Sequence, residues 1–146
     1  MEMEITLRVD GSEHRIAIDP RTTLLDLLRE HLGIYSPKKG CDHGQCGACT
    51  ILLDGEPVNS CLIPFAQARG ATVKTIEGFK GAHPLQATFV TEGGAQCGIC
   101  TPGMILAAVA LPKKATLEQI RVALAGNLCR CTGYEGIYRA IFKARH

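Results

Sequence analysis

The chain has 146 residues and a mass of 15.7 kDa, with 46% hydrophobic, 21% charged and 5% aromatic residues and no tryptophan. That length suits one domain or two small ones, and the composition excludes a disordered or collagen-like chain. The formal net charge is +2 with every thiol counted as neutral, and basic residues occur as short pairs such as Lys38-Lys39 and Lys113-Lys114 with few aromatics between them, which argues against a nucleic-acid groove.

The first residues, Met1-Glu2-Met3-Glu4, are acidic where a secretion signal is basic, and Ile5 to Val9 alternates with polar residues where a signal is continuously apolar. The longest apolar run, Met104 to Leu111, is far short of the roughly 18 or more residues of a membrane span. The expectation is a cytoplasmic protein without membrane contact. In that reducing compartment, the eight cysteines point to metal binding before disulfides.

Residues 1–77 read as a small mixed sheet with one helix. Ile5, Leu7 and Val9 alternate, Asp10-Gly11 makes a turn, and Ile16 and Ile18 alternate again, as in a hairpin. Thr23 is positioned to cap a helix with Asp26 reaching back, and Leu24, Leu27, Leu28 and His31 repeat at helical spacing before Gly33. A loop from Pro37 to Cys49 leads into a strand from Thr50 to Leu53, which Asp54-Gly55 turns back towards Val58. An apolar segment from Leu62 to Ala68 and a strand from Thr72 to Ile76 follow, and Gly78 to His83 reads as a linker.

Residues 84–146 read as four helices in two similar pairs. Pro84 opens the first, which Gly93-Gly94 ends, and Thr101-Pro102 starts the second, to about Leu111. Thr116, boxed with Gln119, starts a third that Gly126 ends, and Thr132 with Glu135 is the expected cap of the fourth. Cys97 and Cys100 occupy the first inter-helix loop and Cys129 and Cys131 the last, so a four-helix bundle brings both loops to one end.

The cysteines form two quartets. Cys41, Cys46 and Cys49 have the plant-type ferredoxin spacing, in which a loop wraps a [2Fe–2S] cluster and a remote cysteine, here Cys61, closes it. Gly40, Gly44 and Gly47 let the backbone aim N–H groups at the sulfurs. In the second quartet each pair stands directly before a helix start, whose free N–H groups and positive dipole end favour an anion such as an iron–sulfur cluster. One-residue spacing between Cys129 and Cys131 fits two thiolates on one iron better than a strained disulfide. A zinc site remains the alternative for either quartet, with a zinc-stabilised adaptor as its functional counterpart. The sequence has no GxGxxG dinucleotide loop, phosphate loop or serine-nucleophile motif, so two clusters in so small a chain point to an electron relay.

Three segments carry a resemblance: Cys41-Asp42-His43-Gly44-Gln45-Cys46-Gly47-Ala48-Cys49, Gln96-Cys97-Gly98-Ile99-Cys100-Thr101-Pro102-Gly103-Met104 and Gly126-Asn127-Leu128-Cys129-Arg130-Cys131-Thr132-Gly133-Tyr134. In order and nearly end to end, the chain resembles the small iron–sulfur subunit of the molybdenum hydroxylases, the family of xanthine dehydrogenase, aldehyde oxidoreductases and carbon monoxide dehydrogenase. The resemblance implies an α+β chain, a β-grasp, ferredoxin-like domain (1–77) followed by a four-helix bundle (84–146). It also implies two [2Fe–2S] clusters, the distal one on Cys41, Cys46, Cys49 and Cys61 and the proximal one on Cys97, Cys100, Cys129 and Cys131.

Gln96 and Cys131 are further implied to touch the pterin of a molybdopterin cofactor on a large partner subunit. FAD is implied on a medium subunit, the whole assembling as a dimer of heterotrimers that is an oxidoreductase while this chain has no catalytic residue of its own. A free-standing two-cluster ferredoxin is the other reading. Gln96 has the plainer role of capping its own loop, Arg130 of a solvated charge, His43 of an exposed polar residue and Tyr134 of packing the last helix. Two oxidised clusters on eight thiolates carry a formal −4, so the apo-chain charge of +2 becomes about −2 with both bound.

Overall fold

The computed structural model describes residues 1–146. The alternation at the start becomes strand β1 (Met3–Val9), with Ile5, Leu7 and Val9 buried and the residues between them exposed. Asp10 and Gly11 both take positive φ, 49° and 87°, the conformation of the tight turn that leads into β2 (Ser12–Ile18). Met3 faces Ile18 and Val9 faces Ser12 across this hairpin. Strands β3 (Thr50–Leu53), β4 (Glu56–Asn59) and β5 (Thr72–Lys74) complete a sheet in the order β2-β1-β5-β3-β4. Only β1 and β5 run parallel. The last strand is shorter than the expected Thr72 to Ile76, because Ile76–Phe79 closes into a 3-10 turn.

Helix α1 (Leu24–Asp26) continues as a π turn over Leu27–His31, where Leu32 N–H donates to Leu27 O. Thr23 Oγ1 accepts from Asp26 N–H as expected. The Asp26 carboxylate, however, pairs with Lys39 Nζ at 2.6 Å across the adjoining loop. The wider turn alters the expected face. His31 is exposed, and four leucines, 24, 25, 27 and 28, are fully buried. Leu24, Leu27 and Leu28 join the sheet core with Phe65 and Val73, while Leu25 packs with Cys49 and Cys61.

The second half is built from α2 (Pro84–Thr91), α3 (Thr101–Val109), α4 (Leu117–Ala123) and α5 (Glu135–Arg145). The Thr116–Gln119 capping box forms as expected. The Thr132–Glu135 box does not. Helix α5 starts two residues later than that reading, behind Tyr134 at φ 73°, and the Thr132 hydroxyl is engaged elsewhere. Nor does a side chain cap α3, which begins directly after Cys100. Leu85, Phe89, Met104, Ile120, Ile137 and Ile141 centre a second core. The architecture is α+β, a five-stranded mixed ferredoxin-like sheet followed by a helical domain of four helices, and no helix is long and apolar enough to cross a membrane.

The two cores abut where α3 crosses β3. This approach requires glycine at 103, where a Cβ would lie 2.5 Å from Gly47 O. A second tie runs from the first hairpin to the connection, as Asp10 Oδ1 and Oδ2 accept from the N–H and hydroxyl of buried Thr75 at 2.8 and 2.6 Å.

Candidate functional site

The loop between α1 and β3 curls around its own cysteines. Cys41 Sγ accepts from three backbone N–H groups, those of Gln45 and Cys46 at 3.3 Å and His43 at 3.5 Å, and Ala48 N–H reaches Cys46 Sγ at 3.5 Å. These donors, Cys46 N–H foremost, lower the Cys41 thiol to about 6 and so favour its thiolate. Glycine is needed at 40, since a Cβ there would stand 2.7 Å from Cys46 Sγ. The Cys46 side chain adds a smaller contribution to the same lowering of Cys41.

The other two members arrive by sheet geometry. Cys49 enters β3, the β3–β4 hairpin sets Thr50 opposite Asn59, and the 3-10 turn Ser60–Leu62 places Cys61 beside Cys49. Ser60 Oγ fixes this return by donating to Cys49 O at 2.7 Å. Both cysteines are buried, at 3% and 6% exposure. Burial first, and then the neighbouring Cys49 thiol, pushes Cys61 up to about 11. Two such sulfurs ionise together only beside a cation.

The second quartet gathers from the two inter-helix loops. Cys100 lies beside Cys129 and Cys97 beside Cys131, so the nearest neighbours come from opposite loops and not, as the one-residue spacing suggests, from Cys129 and Cys131 together. Burial, then Cys129, raises Cys100 to about 12. Cys129 itself is shifted down, because its partial burial is outweighed by the Thr132 hydroxyl and by backbone N–H groups of Thr132 and Cys131. Cys97 and Cys131 are exposed, with Cys97 contact raising the Cys131 thiol. All four line one hollow of about 230 Å³ together with Cys46 from the first quartet. The two sites therefore meet, and Leu128 N–H donates to Cys46 O at 2.9 Å across the join. Within each quartet the sulfurs are near enough to influence one another, Cys61 being raised by Cys41 as well as Cys49 and Cys100 by Cys97 as well as Cys129.

Around the quartets the expected bystanders divide. His43 is exposed and braces its loop, with Nδ1 2.6 Å from Cys41 O and Nε2 3.0 Å from Gln45 Oε1. Arg130 is exposed. Gln96 is also exposed, beside Cys97. Tyr134 does more than pack. Its hydroxyl accepts from Cys129 N–H at 2.9 Å, its own N–H donates to Thr132 Oγ1, and that hydroxyl donates to Cys129 Sγ at 3.2 Å. Leu25, Thr132 and Asn127 complete the residues that sequence reasoning missed. The legible signal for the last two was only their place, within three residues of a cysteine.

Residues 7–73 match the family described as 2Fe-2S iron-sulfur cluster binding domain, and residues 75–142 the family described as [2Fe-2S] binding domain. The nicotinate dehydrogenase small FeS subunit of Eubacterium barkeri is 47% identical over 146 residues, covering 96% of this chain and 93% of that protein. The aldehyde oxidoreductase iron-sulfur-binding subunit PaoA of Escherichia coli (strain K12) is 42% identical over 160 residues, covering 95% and 70%. Among solved structures, quinoline 2-oxidoreductase from Pseudomonas putida 86 contains a chain that superposes with a TM-score of 0.93 at 39% identity, covering 97% of this chain and 91% of that one. Aldehyde oxidoreductase from Desulfovibrio gigas gives 0.94 at 38% identity over 98% of this chain but 17% of its own, so there the same fold is one segment of a larger polypeptide.

Proposed function

This chain belongs to the small [2Fe–2S] subunits of the molybdenum hydroxylases, electron-transfer components of multi-subunit oxidoreductases, and on that premise we propose which residues do the relaying and between what. Cys41, Cys46, Cys49 and Cys61 hold the distal cluster, and Cys97, Cys100, Cys129 and Cys131 the proximal one. When bound, each [2Fe–2S] cluster supplies a one-electron donor and acceptor. The observation that carries the assignment is that the fold gathers each quartet in one place: Cys41 and Cys46 share one loop to which the β3–β4 hairpin returns Cys61 beside Cys49, and Cys97, Cys100, Cys129 and Cys131 line one hollow, four thiolates being what a [2Fe–2S] centre takes. The division between the two cluster-binding units, 1–77 and 84–146, falls in the segment Gly78 to His83.

The protein's own residues set direction and insulation. Three N–H donors on Cys41 Sγ stabilise negative charge on sulfur, which favours the reduced state on the distal side. Leu25 walls Cys49 and Cys61 from water. The proximal side is open: Cys97 and Cys131 are exposed and flanked by Ile99 and Leu128, more than half exposed, an apolar rim suited to burial against another chain. That face receives the large molybdopterin subunit, with Gln96 and Cys131 at the pterin, and the distal face receives a medium FAD subunit, in a dimer of heterotrimers. The setting is the cytoplasm, where eight free thiols stay reduced until metal arrives. Substrate choice lies outside this chain, because subunits of similar identity serve enzymes named for nicotinate, aldehydes and quinoline.

The purified complex is expected to contain about four irons and about four acid-labile sulfides per copy of this chain, with two distinct [2Fe–2S] paramagnetic signals on reduction. Zinc in their place would overturn the assignment. Cys49→Ser is expected to erase the distal signal and block electron exit while sparing the proximal one, and Cys129→Ser the reverse. Normal turnover of both variants with the physiological acceptor would show that the relay runs elsewhere.

A further inference from the structure

The hollow shared by the quartets has a polar seam behind it that none of the cysteines explains. Asn127 is 7% exposed and stands two residues before Cys129, in the turn that follows α4, where its N–H donates to Leu124 O. Its Nδ2 crosses to the other half of the molecule and donates to Gly47 O and Thr50 Oγ1, both at 3.1 Å. Gly47 lies between Cys46 and Cys49. Its carbonyl also accepts from the Thr50 hydroxyl at 2.7 Å and the Thr50 N–H at 3.1 Å, so three groups converge on one acceptor. A carbonyl only accepts, which fixes the amide orientation of Asn127.

There is no slack in this arrangement. Gly47 has φ +72°, and a Cβ on it would lie 2.4 Å from Gly126 O and 2.8 Å from Asn127 Nδ2. One residue along, Leu128 N–H donates to Cys46 O at 2.9 Å. One cysteine loop is thus tied to the other by a main-chain bond next to a side-chain clamp. Each clamp residue is within two residues of a cysteine, Gly47 of Cys46 and Cys49, Asn127 of Cys129, Thr50 of Cys49. A small displacement at the seam therefore becomes a displacement between the two sets of sulfurs.

We propose that Asn127 is a positioning residue that clamps the two cysteine loops in register and thereby sets the electronic and magnetic coupling between the two centres. The inference rests on the two-cluster reading above. Burying an amide that spans 80 residues of sequence is costly unless its hydrogen bonds are made, so the clamp holds one registration rather than several.

The test uses the assembled complex, with both clusters reduced, and reads the splitting that each paramagnetic centre imposes on the other. Dipolar coupling falls with the cube of separation, so it reports registration without turnover. Two signals in the parent complex establish the two-cluster reading; their absence overturns that reading and the clamp with it. Asn127→Asp removes the donor at nearly constant size, and Thr50→Val removes the hydroxyl hub. Each is expected to keep about four irons and unshifted individual g-values while the splitting shrinks or blurs and electron transfer between the centres slows several-fold. Thr50→Ser, which retains the hydroxyl, is expected to restore the parent splitting. Either of the first two variants, fully loaded and with the parent splitting and rate, would overturn the clamp. If Asn127→Asp does not load both clusters, Thr50→Val decides alone.

Discussion

Tyr134 holds a left-handed backbone conformation, φ 73°, which costs a bulky residue on the order of 1–3 kcal/mol. The strain is offset by its hydroxyl on Cys129 N–H and its N–H on Thr132, so the residue shapes the loop that presents Cys129. Tyr134→Phe keeps the ring and its stack on Tyr138, 6.1 Å between centroids, but leaves Cys129 N–H without its acceptor. A loss of about 1 kcal/mol in denaturant unfolding is expected, together with a broadened signal from the proximal cluster alone. An unchanged spectrum would reduce Tyr134 to a packing residue. The sequence places Tyr134 at the start of the last helix, and it is there. Its φ was not legible, because a strained conformation is over-determined by partners rather than by the residue's own preference. For the same reason the Thr132–Glu135 capping reading failed: the Thr132 hydroxyl serves Cys129 and Tyr134 instead. The grouping of the cysteines was legible from their spacing, and Cys97, Cys100, Cys129 and Cys131 do come to one hollow from their two loops.

Among the elements, the strands were legible through alternation, and the Thr116 box through residue types that favour capping. The cap of α2 was not. His83 Nδ1 accepts from Leu85 N–H at 3.2 Å while Gln86 Oε1 accepts from His83 N–H at 3.1 Å, a reciprocal cap with histidine in a place usually taken by serine or threonine. Burial, with Arg145 and Lys74 nearby, lowers the His83 pKa. The folded state therefore prefers the neutral ring, and the stability this contributes is complete above the ordinary value of 6.5 and is lost as pH falls through the lower folded value. Protonation also converts Nδ1 from acceptor to donor and breaks the cap. Unfolding free energies between about pH 7.5 and about pH 5.5 are expected to fall more steeply for the parent than for His83→Asn, which retains an acceptor without titrating. Equal slopes would assign the acid sensitivity to other groups. The π turn in α1 was hidden for a different reason: the leucines at 24, 25, 27 and 28, on either side of Asp26, serve two separate clusters, and no single helical face describes them.

At the scale of the whole molecule, the sheet followed from strand alternation in the first half and the helices from caps and glycine stops in the second, but the docking of the halves left no periodic trace. It depends on single contacts between residues far apart in sequence, such as Gly103 against Gly47 O and Asn127 against Thr50. These contacts carry a consequence for maturation. Both sides of the seam are cysteine loops, so docking of the halves is expected to be coupled to insertion of iron. The iron-free chain is expected to behave as two loosely tethered bodies, and trypsin is expected to cut at exposed Lys80 faster in it than in the loaded chain. Equal cleavage rates would show that docking is independent of metal. The seam would then be where a loaded subunit and an empty one differ in outline, not only in content.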